Sequence, residues 1–103
     1  MRPQSAPKYS YRGQFYVVSY DNGLIKVGRS QAAAQRIRNL RGDQFKPGRL
    51  VESWQSTEHE TWQINELRML VFCHENFGDP ATGNETFWGD YAVTLRYAQS
   101  LPI

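Results

Sequence analysis

One stretch constrains the fold more than any other. Residues 14–20 read Gln-Phe-Tyr-Val-Val-Ser-Tyr, Asp21-Asn22-Gly23 follows, and residues 24–29 return as Leu-Ile-Lys-Val-Gly-Arg. Aromatic and β-branched side chains fit a pleated backbone, and Asn-Gly supplies the positive-φ positions that a tight hairpin turn needs. A chain with so strong a hairpin near its start must build a sheet around it. Strand alternation places Leu24, Lys26 and Gly28 on one side of the returning strand, with Ile25, Val27 and Arg29 on the other.

The remaining elements can be placed around this hairpin. Ser30 is a good helix N-cap, and the Gln-Ala-Ala-Ala-Gln-Arg-Ile-Arg-Asn-Leu run behind it has high helix propensity and ends before Gly42. In that helix Ala33, Ile37 and Leu40 make a buried stripe, flanked by Arg36, while Arg38 lies on another side. Residues 41–48 form a polar loop, and residues 49–56 read as a third strand. Thr57 and Glu60 have the spacing of a capping box, so a second helix is expected from residue 57 to about 73. On a helical wheel Trp62, Glu66, Met69 and Cys73 fall together, with Ile64, Leu67 and Val71 opposite, which predicts packing on two surfaces. Glu66 is the anomaly, a carboxylate in an apolar stripe where burial costs energy unless a cation or donor compensates. Residues 74–88 read as a loop, and Asp90 caps a last helix to about residue 100. The expected architecture is α/β, a small three-stranded, mostly antiparallel sheet flanked by helices in the order ββαβαα. Residues 1–12 read as a flexible basic tail ahead of a single domain over residues 13–103.

Charge is sorted along this frame. The chain of 103 residues carries +2 overall, yet residues 1–49 hold about +8 and residues 50–103 about −6. A basic half facing a polyanion, with carboxylates brought in behind it, is what a metal-dependent nuclease requires; balanced solubility explains the same split equally well. The single Cys73 forms no internal disulfide, no apolar run reaches the roughly 20 residues of a membrane span, and no leader opens the chain, so a reducing, cytoplasmic setting without membrane contact is expected.

Strand Tyr16, the turn, Lys26-Val27-Gly28, Ser30 and helix Arg36 together resemble the GIY-YIG nucleases, in particular the small phage-type branch whose second motif reads Lys-hydrophobic-Gly. Gln14-Phe15-Tyr16 stands at the first motif, keeping its Tyr, and Asn65 stands before the helical Glu where that family has an apolar residue. The resemblance implies an endonuclease that hydrolyses DNA phosphodiester bonds with Mg²⁺ or Mn²⁺. It gives Tyr16 the task of orienting or deprotonating the attacking water, Lys26 that of assisting it or lowering the Tyr16 pKa, and Arg36 that of holding the phosphate. Glu66 becomes the metal ligand, with Glu60 and then Glu85 as alternatives. Glu60 already serves as the capping residue, and Glu85, in the Asn-Glu-Thr-Phe-Trp stretch, reads first as structural or DNA-facing. Gly28 keeps the strand open to the nucleic-acid backbone, and Ser30 and Arg29 lie beside it. Arg38, Arg41 and Lys46 add a general, salt-sensitive attraction to phosphates. A domain this small offers little surface for reading sequence, which implies low specificity, a homodimer or a targeting protein partner. The other readings are a non-cleaving module of the same fold that binds nucleic acid or a protein, and a small phage regulator that inhibits a host protein.

Overall fold

The computed structural model describes residues 12–43 and 47–103. Residues 1–11 of the expected tail, and Lys46 in the first loop, lie outside the described residues. The hairpin forms as its sequence dictates. Strand β1 (Gln14–Tyr20) pairs antiparallel with β2 (Leu24–Ser30) in a register that sets Tyr16 opposite Gly28 and Val18 opposite Lys26. Gly23, at φ +91°, supplies the positive φ of the turn, and Asn22 Oδ1 accepts the Leu24 N–H at 3.2 Å.

β3 (Leu50–Gln55) pairs with the other edge of β1. The sheet has four strands, one more than the sequence suggested, in the order β3-β1-β2-β4 with every pairing antiparallel. The extra strand, β4 (Thr86–Trp88), falls in the stretch read as a loop. Three residues are too few to show a period, and it is the free edge of β2 that makes them a strand, pairing Leu24 with Trp88 and Lys26 with Thr86.

Three helices complete the order ββαβαβα: α1 (Ala33–Gly42), α2 (Trp62–Phe77) and α3 (Tyr91–Ser100). Ser30 is the last residue of β2 and not the cap of α1. Its Oγ accepts the Ala32 N–H at 2.9 Å in a tight turn, and the Ala33 N–H is taken by Gln14 Oε1 at 3.3 Å. The predicted start of α2 at Thr57 is displaced to Trp62, and Thr57 and Glu60 form no cap there. The backbone of His59 instead exchanges two hydrogen bonds with Gly13, of 3.1 and 2.9 Å, so residues 57–61 are held against the start of β1 and cannot wind into a helix. At its far end α2 continues to Phe77 and stops at Gly78, whose φ of +88° ends the helical path. Asp90 caps α3 as expected, accepting the Val93 N–H at 3.0 Å.

Alternation along the strands divides the core in two. Phe15, Val17, Ile25 and Val27 face Met69 and Cys73 of α2, Phe87 of β4 and Ala98 of α3. Tyr16, Val18, Tyr20 and Leu24 face Ala33, Ile37 and Leu40 of α1, the stripe expected for that helix. The sheet is therefore sandwiched between α1 on one side and α2 with α3 on the other. The second apolar face of α2 is not packed: Ile64, Leu67 and Val71 are about half exposed. Sequence periodicity identifies an apolar stripe but does not say whether a partner covers it.

Burial has a simple consequence at Cys73, whose thiol is pushed up to about 12 by desolvation. Native protein is expected to resist an aromatic disulfide reagent at pH 8 and to react stoichiometrically once unfolded in guanidinium. Rapid labelling of the native chain would contradict this packing.

Candidate active site

β2 is the element that assembles the site. β4 covers its outer edge through Lys26, and the Val27 N–H donates to Glu85 O at 3.0 Å. Past that point the strand edge carries no neighbour among the described residues, so side chains from both faces of the sheet meet around it.

From the α1 face come Tyr16, Lys26 and Arg36. Tyr16 is 2% exposed, and its ring lies across Gly28 so closely that a Cβ there would sit 2.2 Å from the phenolic oxygen. Glycine is needed at position 28 to seat this ring, a packing task beside the role expected of it toward a nucleic-acid backbone. Arg36, exposed on α1, reaches the Tyr16 phenol within hydrogen-bonding range. Burial raises the Tyr16 pKa and outweighs the opposing hydrogen bond and charge of Arg36, with Glu85 and Glu66 pushing further upward. At neutral pH Tyr16 is thus a phenol. Lys26 Nζ is paired with Glu85 Oε1 at 3.1 Å.

From the α2 face come Glu66 and Arg29. Glu66 is 6% exposed, and its pKa is raised by burial first and then by the charge of Glu85, which lies within hydrogen-bonding reach; Arg29 and Lys26 oppose the shift. Among the described residues no N–H group donates a hydrogen bond to the Glu66 carboxylate. Arg29 follows strand alternation to this side, with its guanidinium 5.9 Å from the Trp62 ring centroid. Glu85 stands at the corner between the faces, taking Lys26 from one and meeting Glu66 from the other. Beside it a cavity of about 300 Å³ is lined by Lys26, Thr82, Gly83, Asn84, Glu85 and Thr86.

The sequence-predicted residues divide accordingly. Tyr16, Lys26, Arg36, Glu66, Gly28 and Arg29 converge on the open edge of β2. Ser30 ends that strand and is spent on the turn into α1. Arg38 and Arg41 are exposed along α1, away from the cluster, and Arg38 donates to Gln35 at 2.7 Å. Glu60 lines a different cleft, with Arg12, Thr57, Glu58 and Ile103. Glu85, ranked last of the three glutamates, is in direct contact with both Lys26 and Glu66.

Two departures from the resembled pattern have local tasks. Gln14 ties two elements together, its Oε1 accepting from Ala33 and its Nε2 donating to Ser56 O at 2.7 Å. Asn65 is fully buried; its Nδ2 contacts His59 Nε2 at 3.0 Å and donates to Pro102 O at 2.8 Å, while its Oδ1 accepts from Arg68 at 2.9 Å. His59 Nδ1, 2.9 Å from Thr57 O, donates there, so Nε2 is the acceptor for Asn65. Both polar residues act as struts.

The raised Glu66 pKa makes a stability prediction. The folded chain holds a proton on Glu66 at a pH where the unfolded chain has lost it, so stability falls as pH rises from the ordinary carboxylate value through the raised one. In EDTA, Glu66→Gln is expected to melt above wild type at pH 7 and to match it below the ordinary carboxylate pKa. A lower melting temperature for the variant at pH 7 would contradict the placement of Glu66. Three comparisons, with protein-family models, curated proteins and solved structures, find no match to this chain.

Proposed function

We propose that this chain is a metal-dependent endonuclease that hydrolyses DNA phosphodiester bonds at the open edge of β2, with a GIY-YIG-type site. The observation that carries the reading is the convergence of a buried phenol, a guanidinium, an ammonium and a buried carboxylate, drawn from β1, α1, β2 and α2, around one strand edge. Structural stability needs no such meeting of unlike charges.

The chemistry follows from the donors present. Arg36, beside the Tyr16 oxygen, is placed to hold a phosphate oxygen and to stabilise the charge that develops there. Tyr16, kept as a phenol, accepts a hydrogen bond from the attacking water and orients it without removing its proton in advance. Lys26 becomes available to substrate when a phosphate competes with Glu85 for it. Glu66 suits a divalent ion such as Mg²⁺ or Mn²⁺, since its buried carboxylate faces another acid and receives no N–H donor; such an ion, when bound, polarises the phosphoryl oxygen. Arg29, Arg38 and Arg41, with Lys46, supply the salt-sensitive attraction to the DNA backbone. A second copy or a targeting protein would supply the specificity that so small a domain lacks. The cytoplasm of a host cell is the setting proposed.

One observation favours a second reading. The Lys26–Glu85 pair, with Lys26 18% exposed, neutralises a cation that a cleaving site would use. A binding module that does not cut, or a phage-type inhibitor of a host protein, would have that feature.

The test is incubation with supercoiled, single-stranded and branched DNA in Mg²⁺ or Mn²⁺, against the same reactions in EDTA. Cutting confined to the metal-containing reactions supports the nuclease. Retention of DNA in a gel-shift assay with no cutting on any substrate supports the module.

A further inference from the structure

From the geometry we infer that Glu85 is a second carboxylate of the cation site, which with Glu66 holds one divalent ion from two sides. This deepens the proposed function and rests on it only for the use the ion is put to. Three observations carry the inference. The two carboxylates approach within hydrogen-bonding reach although they come from separate elements, Glu66 from α2 and Glu85 from the residue before β4. Glu66 is more than nine-tenths buried and lacks an N–H donor among the described residues, so the nearby charges of Arg29 and Lys26 offset its burial only in part. The cavity of about 300 Å³ opens at Lys26 and Glu85, giving an ion and its remaining water ligands a route to Glu85.

Two carboxylates are what a hard, oxygen-seeking ion of Mg²⁺ type uses when it keeps water or phosphate as its other ligands. No group of three or more His, Cys, Asp or Glu residues suited to a metal exists among the described residues. Lys26 then has a second part. Its ammonium, 3.1 Å from Glu85, occupies the place of the ion's charge in the free protein, so ion and lysine compete for one carboxylate. Arrival of the ion releases Lys26 toward substrate.

The experiment is calorimetric titration of the full chain with Mn²⁺ alone, without DNA, for wild type, Glu66→Gln, Glu85→Gln and Lys26→Met. Wild type is expected to bind one Mn²⁺ per chain. Glu85→Gln and Glu66→Gln should each weaken that binding by about tenfold or more, the scale seen when groups supporting a metal are removed. Lys26→Met, which keeps both acids and removes their competitor, should bind more tightly than wild type. Mn²⁺ affinity unchanged in Glu85→Gln, or no binding by wild type, overturns the inference. Should Glu85→Gln fail to fold, Lys26→Met decides alone, and binding no tighter than wild type overturns it. Failure of the nuclease reading is seen separately, as Mn²⁺ bound through both acids by a chain that cuts no DNA. Metal-dependent cutting with Glu85→Gln binding Mn²⁺ as wild type does would leave the nuclease standing and remove this inference.

Discussion

Arg36→Ala is expected to lower the rate of metal-dependent DNA cleavage by about 10²–10³-fold, the usual loss when one donor to a developing oxyanion is removed. Arg36 is exposed on α1, so truncating it leaves the Ala33, Ile37 and Leu40 stripe intact and should change the melting temperature little. Its guanidinium is the group that reaches the Tyr16 phenol, and so a positive charge placed where, on the proposed reading, water and phosphate would meet. Arg38→Ala provides the contrast. Arg38 lies on the same helix, turned toward Gln35, and its loss should weaken DNA binding modestly, more at low salt than at high, with little effect on the cleavage step. Equal rates for Arg36→Ala and wild type, measured in single-turnover reactions, would remove Arg36 from the site.

Asn65→Ala is expected to cost about 2–4 kcal/mol, because it strands the buried acceptor His59 Nε2, a penalty of about 1–3 kcal/mol, and loses the hydrogen bond to the carbonyl of exposed Pro102, worth about 0.5–1.5 kcal/mol. For a domain of this size that is a fall of about 10 °C or more in melting temperature. The loss is wider than one contact. Through His59 the network holds residues 57–61 against Gly13, and through Pro102 it anchors the end of the chain against α2. Asn65→Asp, with no N–H to donate, should fare no better than alanine. A thermal melt of either variant matching wild type would mean that the network is dispensable.

The hairpin, the α1 stripe and the Asp90 cap were legible in the sequence because each is written in local chemistry: Asn22-Gly23 for the turn, apolar spacing at 33, 37 and 40, and a carboxylate at the head of a helix. The start of α2 was not. Thr57 and Glu60 carry a good local signal, but the long-range pairing of His59 with Gly13 overrides it, and such pairing leaves no mark in nearby residues. β4 escaped for the same reason, since its three residues take their conformation from the edge of β2. Tyr16, Lys26, Arg36 and Glu66 were singled out by the resemblance to the GIY-YIG pattern, and the fold brings them near one another. The packing need for Gly28 was not legible, since only the structure shows the Tyr16 ring lying over it. The closeness of Glu85 to Lys26 and Glu66 was not legible because it depends on that unforeseen strand.

The central claim is that these residues make one working site. Its most direct test is the rate of nicking of supercoiled DNA in Mg²⁺ by wild type and by Glu66→Gln, with melting curves of both in hand. The expected result is nicking by wild type that stops in EDTA and is lost in Glu66→Gln, although the variant folds at least as stably. Nicking by Glu66→Gln at the wild-type rate, or none by folded wild type in any divalent metal, would contradict the account.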